Sequence, residues 1–81
     1  MIVKMYCIKD TKTNFWKPHC QVNDLAARRE FENLVNSPKN DFIFVNYSDL
    51  ELWCIGDFDD ATGIINSNVS FICNGVDVRK E

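Results

Sequence analysis

Glycine, proline and histidine are scarce in this 81-residue chain: three, two and one. Three glycines leave little material for a phosphate-cradling loop, and no glycine-rich nucleotide motif occurs. The single histidine, His19, excludes any metal set that needs two, and the four cysteines (Cys7, Cys20, Cys54, Cys73) contain no CxxC. Metal sites usually show at least one close ligand pair. Here only His19 and Cys20 are neighbours, and adjacent strand residues point to opposite faces. Cys7, Cys54 and Cys73 sit in apolar surroundings, so reduced, buried thiols acting as small hydrophobes are expected ahead of a disulfide or a zinc site. No apolar run reaches the length of a membrane span, and a basic-then-apolar leader is missing. The expectation is a protein of a reducing cytoplasm that meets no membrane.

What the chain does have is an ordinary apolar fraction, 46%. Its length makes one domain, residues 1–81, with 76–81 expected as a frayed tail. Such a short chain buries only about 60–65% of its unfolded surface, so packing against a second copy is a natural way to gain burial. The net charge of −3 is unevenly spread. Residues 1–29 hold six basic and two acidic side chains, and residues 30–81 hold three basic and ten acidic. A basic patch on an acidic protein follows if the first group converges.

The pattern reads β-β-α, a loop or short strand, then β-β. Residues 1–9 have β-propensity and two apolar faces. A polar turn, 10–14, leads to a poorer strand over 15–22, where Pro18 lacks a ladder N–H. Asn23 or Asp24 caps a helix in which Ala27, Phe31, Leu34 and Val35 form one apolar face. Arg28 and Glu32 have the spacing of a surface ion pair, and the helix stops before Pro38. Residues 41–47, DFIFVNY, read as a short strand or a loop laid over the core. From 50 to 58 the chain alternates: Leu50, Leu52, Cys54, Gly56 and Phe58 on a core face, Glu51, Trp53, Ile55 and Asp57 on the other. Asp59 to Gly63 is a turn, followed by a return strand broken near 66–68, with Asn74-Gly75 as a further turn. The fold class is therefore α+β, with one main helix packed on a small antiparallel or mixed sheet.

Asp57, Asp59 and Asp60 are the obvious catalytic or metal candidates, but all three belong to one hairpin, and a two-metal site needs converging carboxylates. A solvated turn held by local hydrogen bonds fits them better. His19 reads as a surface or interface histidine. No catalytic residue, metal site or cofactor follows, and a noncatalytic protein is expected. The nucleic-acid candidates are Lys9, Lys12, Trp16, Lys17, Arg28 and Arg29: basic groups for phosphate, with Phe15 or Trp16 to stack on unpaired bases. Ordinary surface charge beside an aromatic core is the competing reading. Trp53 and Ile55, too large to leave bare on the second sheet face, are the candidate self-association interface.

Residues 24–31, DLAARREF, with Asn33-Leu34-Val35, then residues 50–59, LELWCIGDFD, with Thr62-Gly63, resemble the small nonstructural protein of gokushoviruses, single-stranded DNA microviruses of bacteria. The likeness covers most of residues 1–65. It implies a noncatalytic phage accessory protein, DNA-binding and acting in viral genome replication or packaging in the host bacterial cytoplasm, with single-stranded DNA as partner. The alternative is a homodimeric regulator that contacts a host or phage replication protein without binding DNA.

Overall fold

The computed structural model describes residues 1–80. Four antiparallel strands form one sheet in the order β2-β1-β3-β4, where β1 is Ile2–Asp10, β2 His19–Gln21, β3 Leu50–Asp59 and β4 Ile65–Asn74. The main helix, α1, is Asp24–Val35, and two short helices, α2 (Asp41–Val45) and α3 (Gly75–Val78), flank it. The α+β class with a helical layer on an antiparallel sheet is as the sequence pattern implies.

The side chain of Asn23 caps α1 by accepting from the Ala26 N–H at 2.8 Å. Ala27, Phe31 and Val35 are buried beneath it, against Tyr6 and Ile8 of β1, Leu50, Leu52 and Cys54 of β3, and Cys73 of β4. The helix start is bolted to the sheet: the Tyr6 hydroxyl donates to Asp24 at 2.6 Å, and Lys4 Nζ lies 3.4 Å from the same carboxylate. The hydrogen bond from Tyr6, helped by Lys4 and opposed by burial, holds the Asp24 carboxyl below its ordinary value. Burial, and then that bond, push the Tyr6 phenol upward. At the far side His19 Nε2 lies 2.8 Å from Glu30 Oε1, a close contact without hydrogen-bond alignment, linking β2 to α1.

Several local expectations change. Residues 41–45 are helical, not a strand. The Phe44 and Asn46 amides bond back to Asn40 and Phe42, and Asp41 lies in the first turn, where a carboxylate is favoured. Trp16 packs on Phe42, and Ile43 packs against the core. The strand expected over 15–22 shrinks to His19–Gln21, with one isolated bridge at Phe15–Lys9; Pro18 lies between them. The return strand is continuous through 66–68, although its pairing slips. Asn74-Gly75 opens α3 rather than a hairpin, because Asn74 and Asp77 form a reciprocal cap. Glu32 is engaged by Lys80 at 3.3 Å instead of by Arg28.

The alternation of β3 also breaks. Tyr6 pairs with Cys54 and Met5 with Gly56, so Ile55 is an extra, bulged residue. Gly56 makes the bulge at φ 148°, and a Cβ there would collide with the Asn66 carbonyl oxygen. Beyond it Asp57 pairs with Lys4 and Phe58 with Val3. Directly paired residues share a face, so Phe58 leaves the core face assigned to it and Asp57 joins the helix side.

Fraying expected for 76–81 falls in part on Glu81, outside the described residues. Val78 is buried, Arg79 donates to the Phe44 carbonyl at 2.7 Å, and Asn36 bonds the Val78 carbonyl and the Lys80 amide. Arg79 also lies over the rings of Phe44 and Tyr47 at 4.0 and 4.2 Å, which ties the chain end to the α2 segment.

Tyr6→Phe is expected to cost about 1 kcal/mol near neutral pH, a charge-assisted bond discounted because the Asp24 side chain is 56% exposed. A carboxylate held low in the folded state stabilises above its unfolded pKa, and that stability is lost as pH falls through the folded value. Urea unfolding at neutral and strongly acid pH is therefore expected to show the gap between wild type and variant closing in acid.

Candidate nucleic-acid interface

Helix α1 packs on one face of the sheet, and among the described residues no helix covers the opposite face. Trp53 and Ile55 alternate with the core residues Leu52 and Cys54, so both face outward. Cys7 pairs with Trp53 across β1 and β3, and Phe71 pairs with Trp53 across β3 and β4. Phe15, brought alongside by its bridge to Lys9, completes a row. The Phe15 and Trp53 rings lie 5.8 Å apart and the Trp53 and Phe71 rings 5.5 Å, both edge to face. This is a favoured geometry for aromatic pairs. Lys9 Nζ sits over both Phe15 and Trp53, at 5.2 and 5.4 Å from the ring centroids. Trp53 Nε1 donates to Glu51 Oε1 at 3.0 Å, which fixes the indole. Phe15 and Phe71 remain 41% and 48% exposed, so the row is open to a ligand. Farther along the face, Val3 and Phe58 pair near the hairpin, and Ile65 of β4 pairs with Phe58.

The six nucleic-acid candidates do not form one patch. Lys9 belongs to the row. Lys12 and Lys17 are exposed on the turn and segment that flank Phe15. Trp16 turns the other way, half-buried against Phe42 and the core, so it has no free ring face on the open side. Arg28 is carried by α1 and acts electrostatically on Cys73 in the core beneath it. Arg29 borders a surface hollow with Val22 and Leu25. Both arginines are thus on the helix layer, across the sheet from Trp53. Phe71, absent from the sequence-based candidates, enters only through strand register, which a sequence does not display.

Two of the hairpin carboxylates, Asp57 and Asp59, are engaged within the hairpin, and the third, Asp60, reaches the start of the chain. Asp59 accepts from the Ala61 amide at 2.9 Å, Asp57 from Asn66 at 3.2 Å, and Asp60 lies 2.8 Å from the Met1 amine. Among the described residues no group of three or more metal-ligating side chains converges, and no helix is long and apolar enough to cross a membrane. Two surface hollows, about 90 and 200 Å³, fall short of the ~300 Å³ at which small-molecule sites begin. The cysteines are free: Cys7, Cys54 and Cys73 are buried, and Cys20 is exposed. Burial raises the Cys7 thiol; it also raises that of Cys73, against the pull of Arg28.

The described residues thus form an α+β domain in which α1 packs on one sheet face and an aromatic row lies on the other. The family model described as Phage ORF5 protein matches residues 3–78, and the chain belongs to that family. No curated protein and no solved structure matches the chain. The matched span reaches from β1 to α3, so the β4 and α3 segments belong to the family module along with the helix and the first three strands.

Cys7 is only 3% exposed although its face lacks a second layer, and Trp53 is its cross-strand neighbour. Wild-type protein is expected to show one thiol reactive with a disulfide reagent under native conditions, that of Cys20. Trp53→Ala is expected to add a second, slower one, assigned to Cys7 by mass spectrometry of the labelled peptides.

Proposed function

We propose that this phage-family protein is a noncatalytic accessory protein that binds single-stranded DNA on the open sheet face during viral genome replication or packaging. Its setting would be the cytoplasm of a bacterial host, as the gokushovirus resemblance implies. The observation that carries the reading is the Phe15–Trp53–Phe71 row with Lys9 beside it. Unpaired bases stack on exposed aromatic rings whatever their sequence, each worth about 1–3 kcal/mol by alanine substitution. Lysines beside the row hold phosphates, and Lys9, Lys12 and Lys17 are the ones near it. The acidic total argues for a short site of few phosphate contacts rather than a wide electrostatic surface.

The homodimeric regulator remains the second reading. It draws on the other half of the same face, where Ile55, Val3 and Phe58 carry no charge and offer a protein partner an apolar surface.

Fluorescence anisotropy with a labelled single-stranded oligonucleotide tests the proposal. Binding is expected to weaken with salt with a logarithmic slope of about −2, set by three phosphate contacts on a single strand. Phe71→Ala is expected to weaken it about 5- to 100-fold, in line with loss of one stacked base, whereas Arg29→Ala leaves it unchanged. No binding at low salt refutes the reading and favours the regulator; loss on Arg29→Ala with none on Phe71→Ala refutes the open-face site and moves DNA binding to the helix layer.

A further inference from the structure

The two edges of the sheet are built differently. The β2 edge is three residues long, is preceded by Pro18, and is tied to α1 through His19 and Gln21 at Glu30. These are the devices by which proteins close an edge to other strands: shortness, proline and a covering helix. β4 has none of them. It runs ten residues, INSNVSFICN, without a charge, a proline or a glycine, and every side chain from Ile65 to Phe71 is exposed. Its irregular pairing with β3 near Asn68 and Val69 twists the strand but adds no charge to the free side. An edge of this length and composition is a template for another strand.

The order of residues along it indicates which strand. Centred on Asn68, residues 65–71 have matching character at two of three mirrored pairs: the apolar Ile65 falls opposite the apolar Phe71 and the polar Asn66 opposite the polar Ser70, while Ser67 falls opposite Val69. Ile65 and Phe71 both belong to the open face, through their pairing with Phe58 and Trp53. We infer that a second copy of this chain pairs with the free edge of β4, antiparallel and about a two-fold axis at Asn68, joining two four-stranded sheets into one of eight strands. An antiparallel pair about a two-fold is isologous, so one self-complementary strand satisfies both sides. In this register Ile65 of each copy packs against Phe71 of the other, a β-branched–aromatic cross-strand pair. The exposed backbone groups of both edges become paired. Asn66 meets Ser70 as a polar pair. The open faces of the two copies fall on the same side, so the aromatic rows end at a shared seam. The inference stands on the edge itself and does not require that the face bind DNA.

Sedimentation equilibrium without nucleic acid, combined with hydrogen exchange read by mass spectrometry, tests it. The expected result is a dimer whose formation slows exchange in peptides covering 65–71 as protein concentration rises. Asn68→Lys and Asn68→Asp each put like charges opposite one another at the axis and are each expected to weaken association tenfold or more. Mixing the two variants is expected to restore the dimer, which a variant that had failed to fold would not do. A monomer at all concentrations overturns the inference. So does a dimer whose protection falls on Val3, Ile55 and Phe58 rather than on 65–71, because the second copy then covers the open face. A monomer that still binds single-stranded DNA removes the edge pairing and leaves the proposed function standing.

Discussion

The sheet has two faces and α1 covers one of them. Twelve residues of helix reach across Tyr6, Ile8, Leu50, Leu52 and Cys54 and exhaust the long helical apolar surface. The short α2 and α3 pack around that same core: Ile43 lies against it, Val78 is part of it, and Arg79 joins the two segments through Phe44 and Tyr47. Nothing in the described residues turns back over Trp53. Those side chains are apolar by sequence, so they must pack on one another within the face, and the edge-to-face contacts of Phe15, Trp53 and Phe71 are the result.

That asymmetry separates the charged groups. Lys9 of β1 stays with the open face, whereas Lys4 of the same strand reaches Asp24 at the start of α1 and α1 carries Arg28 and Arg29 on the opposite side. A count that gives the first 29 residues a positive balance therefore describes two surfaces. The sheet lies between them. The acidic hairpin is a third region, in which Asp57 and Asp59 satisfy neighbouring backbone and amide donors.

Much of this is legible in the sequence. The Ala27, Phe31 and Val35 spacing gave the buried stripe of α1, and the alternation from Leu50 to Cys54 gave the core face of β3. Trp53 and Ile55 were correctly separated from that face. Residues 41–45 were not legible, because Phe42, Ile43, Phe44 and Val45 favour a strand by local propensity; their packing against Trp16, the core and Arg79 overrides it. Phe58 was misplaced because one bulged residue, Ile55, reverses every later side chain. By sequence Trp16 is as good a stacking candidate as Phe15, but its ring packs inward on Phe42 and the core. Phe71 acquires its meaning only from its register with Trp53.

The central claim is that the uncovered sheet face, with its aromatic row, is the working surface. An NMR titration of amide and indole signals with a short single-stranded oligonucleotide tests it most directly. The account predicts that shifts concentrate at Lys9, Phe15, the Trp53 indole and Phe71, with Trp16 and α1 unmoved. Shifts centred on Arg28 and Arg29, with the Trp53 indole unchanged, would contradict it.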